Sequence, residues 1–184
     1  GLLSKGHVHE VDRADIVAGY VGQTAPLAKE AIKKAKGGIL FIDEAYSLVR
    51  EGSDRDFGRE ALEIIMKEMS DGDGDIAIIV AGYPDEMHTF LESNPGLKSR
   101  FNSYFHFPDY TPQELLDIGK LEAADLDIEI ASDAMEYLYK KLVEAYRDRN
   151  RTFGNARYVK SIVGESKMNL GLRMVSGRTS FEGI

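Results

Sequence analysis

Ile39-Leu40-Phe41-Ile42 runs directly into Asp43-Glu44, so that an unbroken apolar stretch ends in two acids. A stretch without alternation, bounded by Gly38 and Asp43, suits a strand covered on both faces of a parallel sheet. Open parallel sheets bind their ligands at the carboxyl ends of their strands. This is the Walker B arrangement, and its chemistry is specific. Asp43 is expected to help hold Mg²⁺ through its water shell, because Mg²⁺ dehydrates reluctantly. Glu44 is expected to orient or deprotonate the water that attacks a γ-phosphate. The plainer alternative is two acids that simply leave a buried strand for solvent.

Three other positions stand out. Arg100 follows the Pro-Gly approach of Asn94-Pro95-Gly96-Leu97-Lys98-Ser99, and taken alone it suits a surface ion pair. Arg157 closes Gly154-Asn155-Ala156-Arg157, near a basic run of Arg147, Arg149 and Arg151 that suits a solvated helix end. Tyr20 lies between glycines in Gly19-Tyr20-Val21-Gly22, a segment hard to pack, although a core tyrosine is the plain alternative. Three leads fail. His7-x-His9 puts two imidazoles on one strand face but lacks a third metal ligand. Asp71, Asp73 and Asp75 imitate the start of a calcium loop, but Ile76 and Gly82 stand where glycine and glutamate are needed. Arg147 to Arg151 is too short and too mixed in charge to argue for nucleic acid.

The elements that must position these residues alternate. Strands are expected at Val8 to Val11, Ile39 to Ile42, Ile76 to Ala81 and Tyr104 to Phe107, the second and third fully buried. Helices are expected over Thr24 to Lys36, with Thr24 as cap and Leu27, Ala28, Ala31, Ile32 and Ala35 on one face, then Phe57 to Met69 and Pro84 to Leu91. Asp71 to Gly74 reads as a turn. After Pro108 every periodic segment is helical. Thr111-Pro112-Gln113-Glu114 is a capping box with proline at the first helical position. Further helices carry Leu138, Leu142, Ala145 and Tyr146, and then Val159, Ile162 and Val163, the last starting near Asn155. The expectation is an α/β parallel-sheet core over 1–109 and an all-helical subdomain of four-helix type over 110–184.

The 184 residues suffice for a packed core, and 43% apolar with 29% charged residues is an ordinary globular composition. No apolar run approaches the ~20 residues that span a bilayer, so no membrane span is expected. There is no cysteine, which excludes a disulfide scaffold, a thiolate zinc site and a cysteine nucleophile. That absence fits a reducing compartment, and a cytoplasmic location is expected. Lys and Arg number 23 against 31 Asp and Glu, a net charge of −8, which disfavours generic nucleic-acid binding.

The order of Ala18 to Ala25, Gly37 to Tyr46, Val80-Ala81-Gly82-Tyr83, Asn94 to Arg100, Phe107 to Tyr110 and Gly154 to Arg157 resembles the AAA+ ATPases. Within them it looks like the CbbX and stage V sporulation protein K type, with the ATPases of type VII secretion also close. The resemblance runs from about Lys5 to Val163 and implies a P-loop NTPase core, here partial, followed by a lid. It implies ATP and Mg as cofactors, a homo-oligomeric ring such as a hexamer, and a protein substrate drawn through a central pore. Asp43 and Glu44 match the Walker B pair. Arg100 matches the arginine finger that reaches a neighbouring subunit's nucleotide, Arg157 the sensor-2 arginine of the lid, and Tyr20, with Val21 and Gly22, the first pore loop.

Two departures follow. No Gly-x-x-x-x-Gly-Lys-Ser/Thr occurs; the only Gly-Lys pair, Gly119-Lys120, precedes leucine inside an expected helix. The phosphate cradle of backbone N–H groups is therefore missing. In the family this loop precedes the strand expected at Val8, so the expectation is an N-terminal truncation just after the loop, leaving a fragment that binds nucleotide poorly and hydrolyses it hardly at all. After the strand ending at Ala81, Gly82-Tyr83 replaces the sensor-1 asparagine or threonine of many relatives, which makes Tyr83 a weak nucleotide-contact candidate. Two rival functions stay open: a non-catalytic assembly module that completes a neighbour's site through Arg100, and a nucleic-acid-handling P-loop motor.

Overall fold

The computed structural model of the chain describes residues 2–20, 22–49, 57–151 and 153–177. Among these, three apolar runs form strands: β1 (Val8–Val11), β2 (Ile39–Ile42) and β3 (Ala77–Val80). They pair in parallel in the order β1-β2-β3. Val11 pairs with Ile42 and Ile42 with Val80, so the three carboxyl ends lie level. Parallel neighbours need crossovers, and helices supply them. α1 (Arg13–Ile16) and α2 (Thr24–Ala35) connect β1 to β2, and α3 (Phe57–Asp71) leads towards β3. α4 (Pro84–Glu92) and α5 (Pro95–Arg100) follow β3.

β2 is the central strand, and Leu40 and Ile42 are fully buried in the core with Ala35, Leu62, Ile65 and Phe90. α2 buries Ala28, Ala31, Ile32 and Ala35, the i, i+3, i+4, i+7 stripe. Leu27, expected on that stripe, is 38% exposed because it falls one residue ahead of it. Thr24 does not cap α2 either. It is the first residue of the helix, fully buried, and its hydroxyl accepts the Ala18 N–H at 3.1 Å.

Three strand expectations need correction. β2 is fully buried at Leu40 and Ile42 but only partly at Ile39 and Phe41. β3 is not fully buried: it is half-covered, and Ile79 is 44% exposed. It has β2 on one side and, among the described residues, no strand on the other. Tyr104 to Phe107 forms no strand, and Tyr104, Phe105 and Phe107 are exposed. An apolar stretch becomes a strand only when another strand takes its N–H and C=O groups, and no described strand pairs with this one.

The chain divides into two compact units, residues 1–104 and 105–184. In the second, α6 (Pro112–Asp125) packs on both α7 (Ser132–Arg147) and α8 (Ala156–Val175). Leu115, Leu138, Leu142, Val159 and Val163 form its core. Gly119 permits the close approach of α6 and α8, since a Cβ there would stand 3.0 Å from Val159 Cγ1. The capping box forms: Thr111 Oγ1 accepts the Glu114 N–H, and Glu114 Oε2 accepts the Thr111 N–H at 2.8 Å. Where a four-helix type was expected, the described residues hold three helices. Among them, no helix is long and apolar enough to cross a membrane.

Candidate active site

Beyond Ile42 the chain continues the ladder for one residue, with the Asp43 N–H donating to the Val11 carbonyl at 3.0 Å. It then turns sharply. Glu44 adopts φ 46° and ψ 45°, a left-handed conformation that L-residues with a long side chain seldom reach. The turn is pinned on both sides. The Glu44 N–H donates to Asp43 Oδ1 at 2.9 Å, and the Ser47 N–H donates to the Glu44 carbonyl at 2.8 Å. The Ala45 N–H donates to the Ala81 carbonyl, and Ala45 and Leu48 are fully buried within a 3-10 turn over Ala45–Leu48. Asp43 and Glu44 themselves are exposed.

Both acids line a depression with Asp12, Arg13, Ala14, Val17 and Ser47. Asp12 follows Val11 as Asp43 follows Ile42, so the parallel register brings the two acids to the same end of the sheet. Asp12 Oδ1 is taken up as the cap of α1, accepting the Ala14 N–H at 2.6 Å. Arg13 Nη1 donates to the Ser47 carbonyl at 2.5 Å and so ties α1 to the turn behind Glu44. Neither residue was picked out from sequence. The Asp-x-x-Asp spacing of a capping box was the readable signal for Asp12, while nothing local pointed to Arg13. Tyr46 was also missed. Burial raises its phenol pKa, and the charge of Glu44 raises it further. The Tyr46 ring lies 6.5 Å from that of Tyr83, and a Cβ on Gly82 would meet it at 2.7 Å. Tyr83 is half-exposed just before Pro84, which starts α4.

The other candidates lie elsewhere. Arg100 ends α5 and lines a separate depression with Glu63, Met66, Lys67, Ser70, Asp71, Asn94 and Gly96, sharing no residue with the first. Tyr20 is 76% exposed, which rules out a core tyrosine. Gly22 takes φ 80°, and Val21 lies outside the described residues. In the second unit Arg157 is exposed in the first turn of α8. The approach to it is well anchored. Asn155, at φ 47°, donates through Nδ2 to Asp109 Oδ1 at 2.7 Å and accepts the Tyr110 N–H at 3.0 Å. Arg149 pairs with Asp109 Oδ2 at 3.1 Å and stacks 3.8 Å over the Tyr146 ring, so it is not the merely solvated arginine expected.

Among the described residues no group of three or more His, Asp or Glu is placed to hold a metal ion by itself. Mg²⁺ is ordinarily held by one or two carboxylates, water and substrate phosphates, so the carboxylate to consider for it is Asp43. With Asp43 Oδ1 bonded to the Glu44 N–H, Asp43 keeps Oδ2 for such a role. His7 Nε2 lies 2.7 Å from the Lys34 carbonyl, and Asp73 and Asp75 are engaged by Lys36 and Ser4.

A family model described as the ATPase family associated with various cellular activities (AAA) matches residues 3–109. A second, described as the AAA lid domain, matches residues 111–182. The chain is 42% identical over 178 residues to a CfxQ homolog of Guillardia theta, covering 95% of this chain and 59% of that protein. It is 41% identical over 178 residues to CfxQ of Xanthobacter flavus, covering 95% and 54%. It is also 41% identical over 178 residues to a chloroplastic ribulose bisphosphate carboxylase/oxygenase activase of Cyanidioschyzon merolae, covering 95% and 56%. The chain thus spans little more than half the length of these relatives.

Proposed function

Because the chain belongs to the AAA family of ATPases, we propose that the protein carrying it hydrolyses ATP and uses the energy to remodel a protein substrate. The observation that carries this reading is the Asp43-Glu44 turn: two exposed carboxylates at the end of the central strand, one on a strained backbone whose N–H and C=O are both hydrogen-bonded. Backbone strain of order 1–3 kcal/mol persists where the surroundings over-determine it, and such places cluster at active sites. Mg·ATP, when bound, supplies the electrophilic γ-phosphorus and the divalent charge that offsets the phosphates. Asp43 accepts hydrogen bonds from the metal's water shell. Glu44 orients the attacking water and takes its proton.

Arg100 acts on the nucleotide of a neighbouring copy in a ring, which a hexamer would close. A guanidinium is a fixed, always-charged fork suited to charge developing on the γ-phosphate. Arg157 couples nucleotide state to the lid, Tyr83 borders the site, and Tyr20 with Val21 and Gly22 grips the polypeptide. The exposure of Tyr20 supports that role. The net charge of −8 argues against the nucleic-acid motor. Two Cyanidioschyzon merolae relatives are activases of ribulose bisphosphate carboxylase/oxygenase by name; the part of that function carried over here is ATP-driven action on a protein.

No phosphate-cradling Gly-x-x-x-x-Gly-Lys-Ser/Thr stands within the 184 residues, so the test belongs to the full-length protein. There Glu44→Gln keeps Mg·ATP affinity and lowers turnover by about 10²–10⁴-fold, the usual share of a general base. Normal turnover in Glu44→Gln overturns the assignment.

A further inference from the structure

We propose that Ser70 is the positioning residue for Arg100, holding the guanidinium in place while leaving its charge unneutralised; this rests on the reading that Arg100 serves a neighbouring nucleotide. Arg100 Nε and Nη2 both donate to Ser70 Oγ, at 3.0 and 2.6 Å, and Nη1 donates to the Gly96 carbonyl at 3.1 Å. All three nitrogens are thus engaged, using three of the five N–H groups and leaving one on each terminal nitrogen for a phosphate oxygen. The Ser70 hydroxyl points its own proton at the Met66 carbonyl, 3.2 Å away, so its lone pairs are left for the arginine. Ser70 stands on α3 and Arg100 on α5, thirty residues later, so the contact fixes a short helix against a long one. Gly96 makes room for it, since a Cβ there would stand 3.2 Å from Nη1.

The chemistry of the anchor is the informative part. Glu63 and Asp71 line the same depression, yet no ion pair among the described residues includes Arg100. A carboxylate would hold the fork more strongly but would cancel the charge that a developing γ-phosphate needs. A hydroxyl and a carbonyl hold it without that cancellation. An arginine fixed beforehand also loses less side-chain entropy when it meets its ligand.

The test uses the full-length protein and four variants: Ser70→Ala, Ser70→Thr, Ser70→Asp and Arg100→Ala. Loss of both hydrogen bonds from the guanidinium to Ser70 Oγ predicts that Ser70→Ala lowers kcat by about fivefold or more, with KM for ATP within about twofold. Ser70→Thr, which keeps the hydroxyl, restores kcat. Ser70→Asp is slower than Ser70→Ala although it offers the stronger anchor, a result that a merely structural role does not give. Thermal unfolding of each variant shows that the fold is kept. If Arg100→Ala is impaired while Ser70→Ala turns over normally, or if Ser70→Asp matches the wild type, the role of Ser70 is refuted. Normal turnover in Arg100→Ala instead refutes the role of Arg100 itself.

Discussion

Glu44 shows how a single carboxylate can be fixed without being buried. Its backbone is held in a left-handed turn by neighbours on both sides, while its side chain stays in solvent. The nearest reporter of its charge is Tyr46, whose phenol titrates above the ordinary range, first through burial and then through Glu44. Glu44→Gln removes the second cause and leaves the first. The Tyr46 pKa should therefore fall in that variant but stay above that of a free tyrosine, because a negative neighbour disfavours the phenolate and burial still does. Ring-carbon NMR shifts of Tyr46 followed against pH read this directly. An unchanged value would place the Glu44 carboxylate away from the Tyr46 ring.

The capping box of α6 is the clearest case of local chemistry deciding an element. Glu114 accepts hydrogen bonds from the Thr111 N–H and hydroxyl, which hold its carboxyl below the usual range. A lowered folded-state pKa means that the stabilisation is complete above the unfolded value and fades as pH falls through the folded one. Glu114→Gln should therefore lower the urea midpoint of the lid at neutral pH, and the difference from the wild type should shrink as pH falls below the ordinary carboxylate range and through the lowered folded-state pKa. A difference that persists unchanged in acid would deny the carboxylate this role. Separately, Thr111→Ala should cost about 1 kcal/mol by the same urea titration, the usual value of a lost cap.

This box was legible in the sequence because all its partners lie within four residues. β2 was legible for a similar reason, since its apolar run and its acidic end are contiguous. Features that depend on distant partners were not. Tyr104 to Phe107 has the residue types of a strand but no described strand to pair with, and β3 is half-covered because it has one neighbour. Thr24 has the right type for a cap, yet its hydroxyl is spent on Ala18. Arg13 and Ser70 act across 34 and 30 residues, and no spacing rule points to them.

The acids and the arginine proposed to act on ATP both lie in the first compact unit, but they line two depressions with no residue in common. A head-to-tail ring offers a simple use for such a division, since each interface joins one face of a copy to a different face of the next. Arg100 of one copy would then complete the site that Asp43 and Glu44 of the next copy begin. The measurement that tests this most directly is ATP turnover by full-length Glu44→Gln, by full-length Arg100→Ala, and by an equimolar mixture of the two. Each variant alone should be close to inactive. In the mixture, a copy with intact Glu44 can follow a copy with intact Arg100 at about a quarter of randomly formed interfaces, so turnover should rise well above either parent towards that fraction. A mixture no faster than its components would contradict a site shared between copies.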